Sequence, residues 1–269
     1  MKNSTIIGLV LGLVALLVGM VLKGAPLVAL VTNPAAFVII IVGTVASVSV
    51  AFPMSDLKKV PKLFKIVFVE PKLIPREQLI TMFMDWATVT RREGLLALEA
   101  RVEEIEDEFL KVGMRMIIDG NDQDLVRDVL LEDVAATEER HRAGAQIFSQ
   151  AGMYAPTLGV LGAVVGLVAA LQNLDNMEKL AHAVAAAFIA TLLGIFTGYV
   201  LWHPIANKLK RISKREVDLK LMMVEGLLSI QSGVSTIAIQ QKLMVFLTPT
   251  ERRAFNEKEE AAGEQKATA

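Results

Sequence analysis

Four runs of about twenty residues contain no Asp, Glu, Lys or Arg, and densely charged stretches separate them. This alternation restricts the fold more than any other feature. In hydrocarbon every backbone N–H and C=O must be satisfied within the chain, so an apolar run of that length crosses a bilayer as a helix. The runs cover residues 4–22, 34–52, 151–171 and 181–202. At about 1.5 Å per residue each spans roughly 30 Å of hydrocarbon. The expected fold is therefore an all-α membrane protein with four transmembrane helices and a large helical polar region. The 53% hydrophobic content and mean hydropathy of +0.48 agree, because a soluble domain of this length would sit near or below zero.

Lys2 precedes the first run, as in a signal peptide, but the run exceeds the 7–15 apolar residues of such a leader and reads as a retained span. The positive charges set the orientation. Lys58, Lys59, Lys62 and Lys65 follow the second run, and Lys208, Lys210, Arg211, Lys214 and Arg215 follow the fourth. The other two connections hold only Lys23 and Lys179. Positive residues stay on the cytoplasmic side, so both termini and residues 53–150 are placed there, with two short hairpins outside. The net charge of -1 and the position of the basic residues beside spans give no sign of nucleic-acid binding. With no cysteine in the chain, disulfides and thiolate metal sites are excluded.

The polar region 53–150 reads as helical. Pro61 and Pro75 suit first turns, and from residue 76 to 112 only Gly94 weakens a helix. Leu79, Met82, Phe83, Trp86, Val89 and Thr90 recur at three-and-four spacing. Gly113 is the expected stop, and Asp119-Gly120-Asn121 a turn. From Asp122 a second helix meets no breaker before the third run. The C-terminal region, 203–269, reads as an amphipathic helix to about Leu247 and a disordered Glu/Lys/Ala-rich tail from Thr248.

The span interiors lack an ionisable acid or base of the kind that marks an ion path, so any titrating carboxylate must belong to another chain. Thr157, Thr191 and Thr197 offer hydroxyls that either line a wet path or bond back to their own helix. The third run carries Gly159, Gly162, Ala163 and Gly166, and the fourth Ala190, Gly194 and Gly198 at four-residue spacing. Such faces let helix backbones approach closely, placing these two spans in the inner layer of an assembly or in a tight monomeric bundle. Pro156 and Pro204 are either kink sites or, for Pro204, a span boundary. Arg91-Arg92-Glu93-Gly94-Leu95-Leu96-Ala97-Leu98-Glu99 puts Arg91 and Glu99 in one helical quadrant, as a docking patch or a solvated face. His141, His182 and His203 lack metal-ligand spacing, and no nucleophile–base pair or phosphate loop is present, so neither an enzyme nor a cofactor is expected.

Residues 91–99, Tyr154-Ala155-Pro156-Thr157-Leu158-Gly159 through Leu167, and Ala190-Thr191-Leu192-Leu193-Gly194 through Pro204 resemble MotA-type flagellar stator subunits of Gram-positive bacteria. The similarity runs from residue 6 to 247. It implies a homo-pentamer in the bacterial cytoplasmic membrane, surrounding single spans of two MotB-type partners that each bring an ion-binding Asp. Ion passage would turn this ring against the rotor protein FliG. By the same resemblance Arg91 and Glu99 match rotor-contact positions, Pro156 and Pro204 the coupling prolines, and Thr191 the threonine near the partner's Asp. Ala163 stands where sodium-type relatives have Thr. Losing that oxygen disfavours a desolvated hard cation, so protons are the expected ion. Three rivals fit less well. A TolQ/ExbB-type energiser has three spans, a secondary transporter needs broken helices and an internal repeat, and a scaffold needs no Thr191.

Overall fold

The computed structural model describes residues 4–30, 33–172 and 174–267; Lys2, used above as an N-terminal charge, lies outside them. Among the described residues there is no strand. In chain order the helices of five or more residues are α1 (Ser4–Leu22), α2 (Pro34–Ala51), α3 (Val60–Phe68), α4 (Arg76–Glu93), α5 (Glu99–Glu103), α6 (Glu108–Ile118), α7 (Gln123–Leu171), α8 (Met177–Gln231), α9 (Thr236–Met244) and α10 (Pro249–Ala267). Of these, α1, α2, α7 and α8 are long and apolar enough to cross a membrane. The chain divides into an apolar unit, up to residue 71 with 140–213, and a polar unit, 72–139 with 214–269. Both α7 and α8 contribute residues to each.

In the apolar unit α2 buries Ala36, Ile40, Thr44 and Val48, one residue in every four. A regular α-helix turns about 100° per residue, so a four-residue stripe drifts by about 40° at each step. The wide π-helical turn over Val38–Val42 offsets that drift and keeps the stripe on one face. The α2 start is held by Asn33, whose side chain accepts from the Ala36 N–H at 3.2 Å and donates to the Ala186 carbonyl at 3.0 Å. Pro34 fills the first turn, where its missing N–H costs nothing. Near the lysine-rich segment, Phe64 meets Phe148 edge-on at 5.0 Å, and Val67, Ile205 and Leu209 complete that cluster. By contrast, Met20 is the one buried residue of α1.

The polar unit has its own core. Leu79, Ile80, Phe83, Trp86 and Ala87 of α4 pack with Leu110, Met114 and Ile117 of α6, Val126 and Leu130 of α7, Met222 and Leu227 of α8, and Ile239 and Leu243 of α9. Three expectations fail here. The helix expected across residues 76–112 stops at Gly94, whose φ of +85° an L side chain rarely adopts. A 3₁₀ turn, Leu95–Leu98, follows, so Arg91 and Glu99 do not share a helix face. Gly113, expected as a stop, lies inside α6. A Cβ there would sit 2.5 Å from Leu227 Cδ1, so this glycine serves close packing. The chain turns at Asp119-Gly120-Asn121, with Gly120 at φ +77°, as the sequence indicates.

The third failure is the tail, which is helical over Pro249–Ala267; its last two residues lie outside the described ones. Thr248-Pro249-Thr250-Glu251 forms a capping box in which Glu251 Oε2 accepts from the Thr248 N–H at 2.8 Å and Thr248 Oγ1 from the Glu251 N–H at 3.3 Å. Phe255 is buried in the core, and Lys258 pairs with Glu77 at 2.6 Å. The Thr248 N–H, then its hydroxyl, and more weakly the Arg76 guanidinium hold the Glu251 carboxyl below its ordinary value against partial desolvation. A depressed carboxylate stabilises above the unfolded value of about 4.3 and ceases to do so as pH falls through the lower folded value. A nitroxide on Glu257→Cys, in a chain with no other cysteine, should therefore be ordered at neutral pH and gain mobility below about pH 4. Adding Glu251→Ala, which removes the acceptor of the Thr248 N–H, should loosen it at neutral pH, consistent with a cap worth about 1 kcal/mol.

Candidate functional site

The inner two spans meet backbone to backbone. A Cβ on Gly159 would lie 2.9 Å from both the Ala190 carbonyl oxygen and Gly194 Cα, and one on Gly194 would lie 2.7 Å from the Ala155 oxygen and Gly159 Cα. Farther along, Gly162 faces Ala190 Cβ and Gly166 faces Ala187 Cβ, each at ordinary contact distance of 3.4 Å. The four-residue spacing of small residues thus becomes a continuous seam between α7 and α8. The outer hairpin packs on it: Gly43 of α2 lies against Leu158, and Gly12 of α1 against Val200.

Pro156 is half-buried inside α7, and its ring leaves the Gly152 carbonyl without the donor an α-helix would supply. Gly198 sits on that spot. A Cβ there would meet the Pro156 ring at 2.8 Å and the Gly152 oxygen at 2.9 Å. Gly198 belongs to a second π-helical turn, Thr197–Trp202, after which the exposed Pro204 enters α8's regular stretch. The His203 ring fills the space beside Gly152, which is why that position too lacks a Cβ.

The three threonines spend their protons on their own helices. Thr157 donates to the Tyr154 carbonyl at 2.7 Å, Thr191 to Ala187 at 3.4 Å and Thr197 to Leu193 at 2.8 Å. Their oxygens keep acceptor capacity. Ala163 and Thr191, both half-buried, each follow one member of the Gly162–Ala190 contact, about 100° around the helix from it. Arg91 and Glu99 lie elsewhere, in the polar unit. Both are exposed on either side of Gly94, and neither forms an ion pair among the described residues. Also among the described residues, no group of three His, Asp or Glu side chains is placed to hold a metal. Sequence reasoning missed Asn33 and both π turns. An Asn-Pro pair before an apolar run is a helix-start signal that would have exposed the first.

Because each Cβ would meet backbone, Gly159→Val and Gly194→Val should each separate the seam. The expected loss is about 1–3 kcal/mol, as for overpacked cores, read as a lower unfolding temperature of the purified protein. Gly8→Ala, with nothing within 4 Å of its Cβ, should leave that temperature unchanged.

A family model described as the MotA/TolQ/ExbB proton channel family matches residues 101–222. The chain is 55% identical to Motility protein A of Bacillus subtilis over 266 residues, 99% of this chain and 98% of that one. Its structure is similar to that of the flagellar MotAB stator complex from Bacillus subtilis, with a TM-score of 0.89 and 56% identity over 94% of this chain and 99% of that one. The C. jejuni MotAB structure matches at a TM-score of 0.87 and 32% identity, covering 93% and 97%. With its helical fold and its sequence matching such relatives across nearly its whole length, this chain belongs to the MotA/TolQ/ExbB proton channel family, as a non-enzymatic membrane subunit of the flagellar stator type.

Proposed function

We propose that this chain forms the collar of a stator channel whose titrating group comes from a MotB-type partner. The collar is a homo-pentamer around two partner spans, each carrying an intramembrane Asp, in the bacterial inner membrane with both termini in the cytoplasm. The observation that carries this reading is the composition of α7 and α8 within the membrane. They present hydroxyls and close-packed glycines but no Asp, Glu, Lys or Arg. A chain that passes ions without an acid of its own needs one supplied. The similar solved structures are of MotAB complexes, which supports a MotB-type occupant and an oligomeric assembly.

In this reading Thr191 offers an acceptor oxygen to the partner's carboxyl group, and Ala163 leaves the path one oxygen short of what a desolvated metal cation requires, so protons are the coupling ion. Pro156 of α7, packed against the π turn of α8, and Pro204, just after that turn, let the two helices bend as the partner's Asp changes charge. Arg91 and Glu99 meet charged groups on FliG. Their exposure, with no ion-pair partner among the described residues, leaves them available for that encounter.

Co-expressed with its partner, Thr191→Val should reduce motor torque by about tenfold or more while membrane insertion and complex assembly stay intact; unchanged torque would remove Thr191 from the path. Single charge reversals at Arg91 and Glu99 should each slow swimming without altering proton flux, and normal swimming in both singles and the double would exclude the rotor contact. Reconstituted alone in liposomes, the chain should pass no protons above the lipid background. Robust selective flux from it alone would overturn the division of labour.

A further inference from the structure

Within the apolar unit, where α2 gives way to α3, lies a cavity of about 290 Å³. Val48 of α2, Leu57 before α3, Phe64 of α3, Phe148 and Ala151 of α7 and Trp202 of α8 form most of its wall, which is almost wholly carbon. Val45 and Ser49 also line it and are themselves exposed, so it opens at the exposed flank of α2. Its size is near the lower limit of small-molecule pockets, about 300 Å³, enough for part of one hydrocarbon chain. An apolar cavity of this kind holds carbon in preference to water.

Two polar groups in its wall lack partners. Thr44 is 2% exposed, yet its hydroxyl makes no hydrogen bond, whereas Thr157, Thr191 and Thr197 all bond back to their helices. The Trp202 indole N–H is buried without an acceptor. Beside the cavity, α3 is amphipathic. Val60, Leu63, Phe64 and Val67 pack inward, while Lys62 and Lys65 are exposed on the other side, with Lys58 exposed just ahead of the helix. Lys59 is neutralised by Asp56 at 2.8 Å; Lys58, Lys62 and Lys65 enter no ion pair among the described residues.

We propose that this is a binding site for an anionic phospholipid. One acyl chain occupies the cavity against Trp202, and Lys58, Lys62 and Lys65 attract the phosphate-bearing head. An ester carbonyl at the top of the chain is the acceptor that the indole N–H and the Thr44 hydroxyl lack. The lysines discriminate among occupants. An apolar side chain from another copy of the protein would fill the cavity but leave three cations without counter-charge, and a zwitterionic lipid would do so in part. Basic clusters immediately beside a span attract acidic headgroups, each lysine contributing about fivefold in affinity.

The chain has two tryptophans, and Trp86 packs on Phe83 in the polar unit, so Trp86→Phe leaves Trp202 as the sole reporter. The full-length Trp86→Phe protein is placed in phosphatidylcholine vesicles containing increasing fractions of phosphatidylglycerol or phosphatidylcholine with dibrominated acyl chains, which quench indole on contact. Brominated phosphatidylglycerol should reach half-quenching at a mole fraction at least fivefold lower than brominated phosphatidylcholine. Lys58→Gln/Lys62→Gln/Lys65→Gln should erase that difference, and Ala151→Leu, which fills the cavity, should reduce quenching by both lipids. Equal quenching by the two lipids, a preference that survives the triple lysine change, or an unquenched Trp202 sealed by a second copy would each overturn the proposal. The lysine variant alters only exposed side chains, so its failure to change the preference is decisive even if Ala151→Leu folds poorly.

Discussion

The backbone contact between Gly159 and Gly194 governs the rest of the apolar unit. Once two helix axes come that close, no side chain fits between them at that level, and the small residues Ala155, Gly162, Gly166, Ala187 and Ala190 continue the same close approach. Large residues are displaced to the outside of the pair. Val160, Leu161, Val164, Val165 and Val168 of α7 and Phe188, Ile195 and Tyr199 of α8 are accordingly exposed on the single chain. Water would not tolerate so much contiguous apolar surface, but lipid or neighbouring helices would. The feature that closes the seam therefore also requires the bilayer and favours assembly.

The outer hairpin depends on that pair more than on itself. Ala36 and Ile40 of α2 join Ala155, Ala190 and Leu193 in one cluster, and Asn33 ties the start of α2 to the Ala186 carbonyl. Near the opposite end, Lys208 donates to Thr5 at 2.7 Å and pairs with Glu70 at 3.2 Å, linking α1 and the end of the lysine-rich segment to α8. Two polar attachments at the ends and apolar contacts between them suit a hydrocarbon setting, where stranded polar groups cost most.

The spans were legible because charge-free length is a property of consecutive residues, and so was the seam, which shows as four-residue spacing of Gly and Ala. Glycine's two uses were not. Gly94 ends a helix through its positive φ, whereas Gly113 continues one because Leu227, more than a hundred residues away, occupies the place of its side chain. No local pattern distinguishes these cases. The capping box at Thr248 is legible in the sequence, but the polar residues around Phe255 hide the long-range packing that anchors the helix. At the site, the hydroxyls of Thr157, Thr191 and Thr197 had two readings from sequence, and geometry shows their protons bonded to their own helices. The π turns left no trace in composition, since they arise from fitting one helix face to another.

Pro156 and the π turn opposite it give the pair a place to yield. The proline frees the Gly152 carbonyl, and Gly198 covers it without a Cβ, leaving at most a weak C–H···O contact where a helix would have an N–H···O bond. Facing it, α8 has already departed from α-helical register over Thr197–Trp202. Kinks in long helices arise at such interruptions. Since Gly198 lies directly on the proline ring, a shift in one helix must be taken up by the other. Above this level Gly159 and Gly194 hold the axes together, which makes the segment between that contact and Pro204 the place for the bending proposed above. In that reading a motion driven from within the membrane leaves the inner hairpin through this segment, because among the described residues a proline in one helix faces a π turn in the other only here.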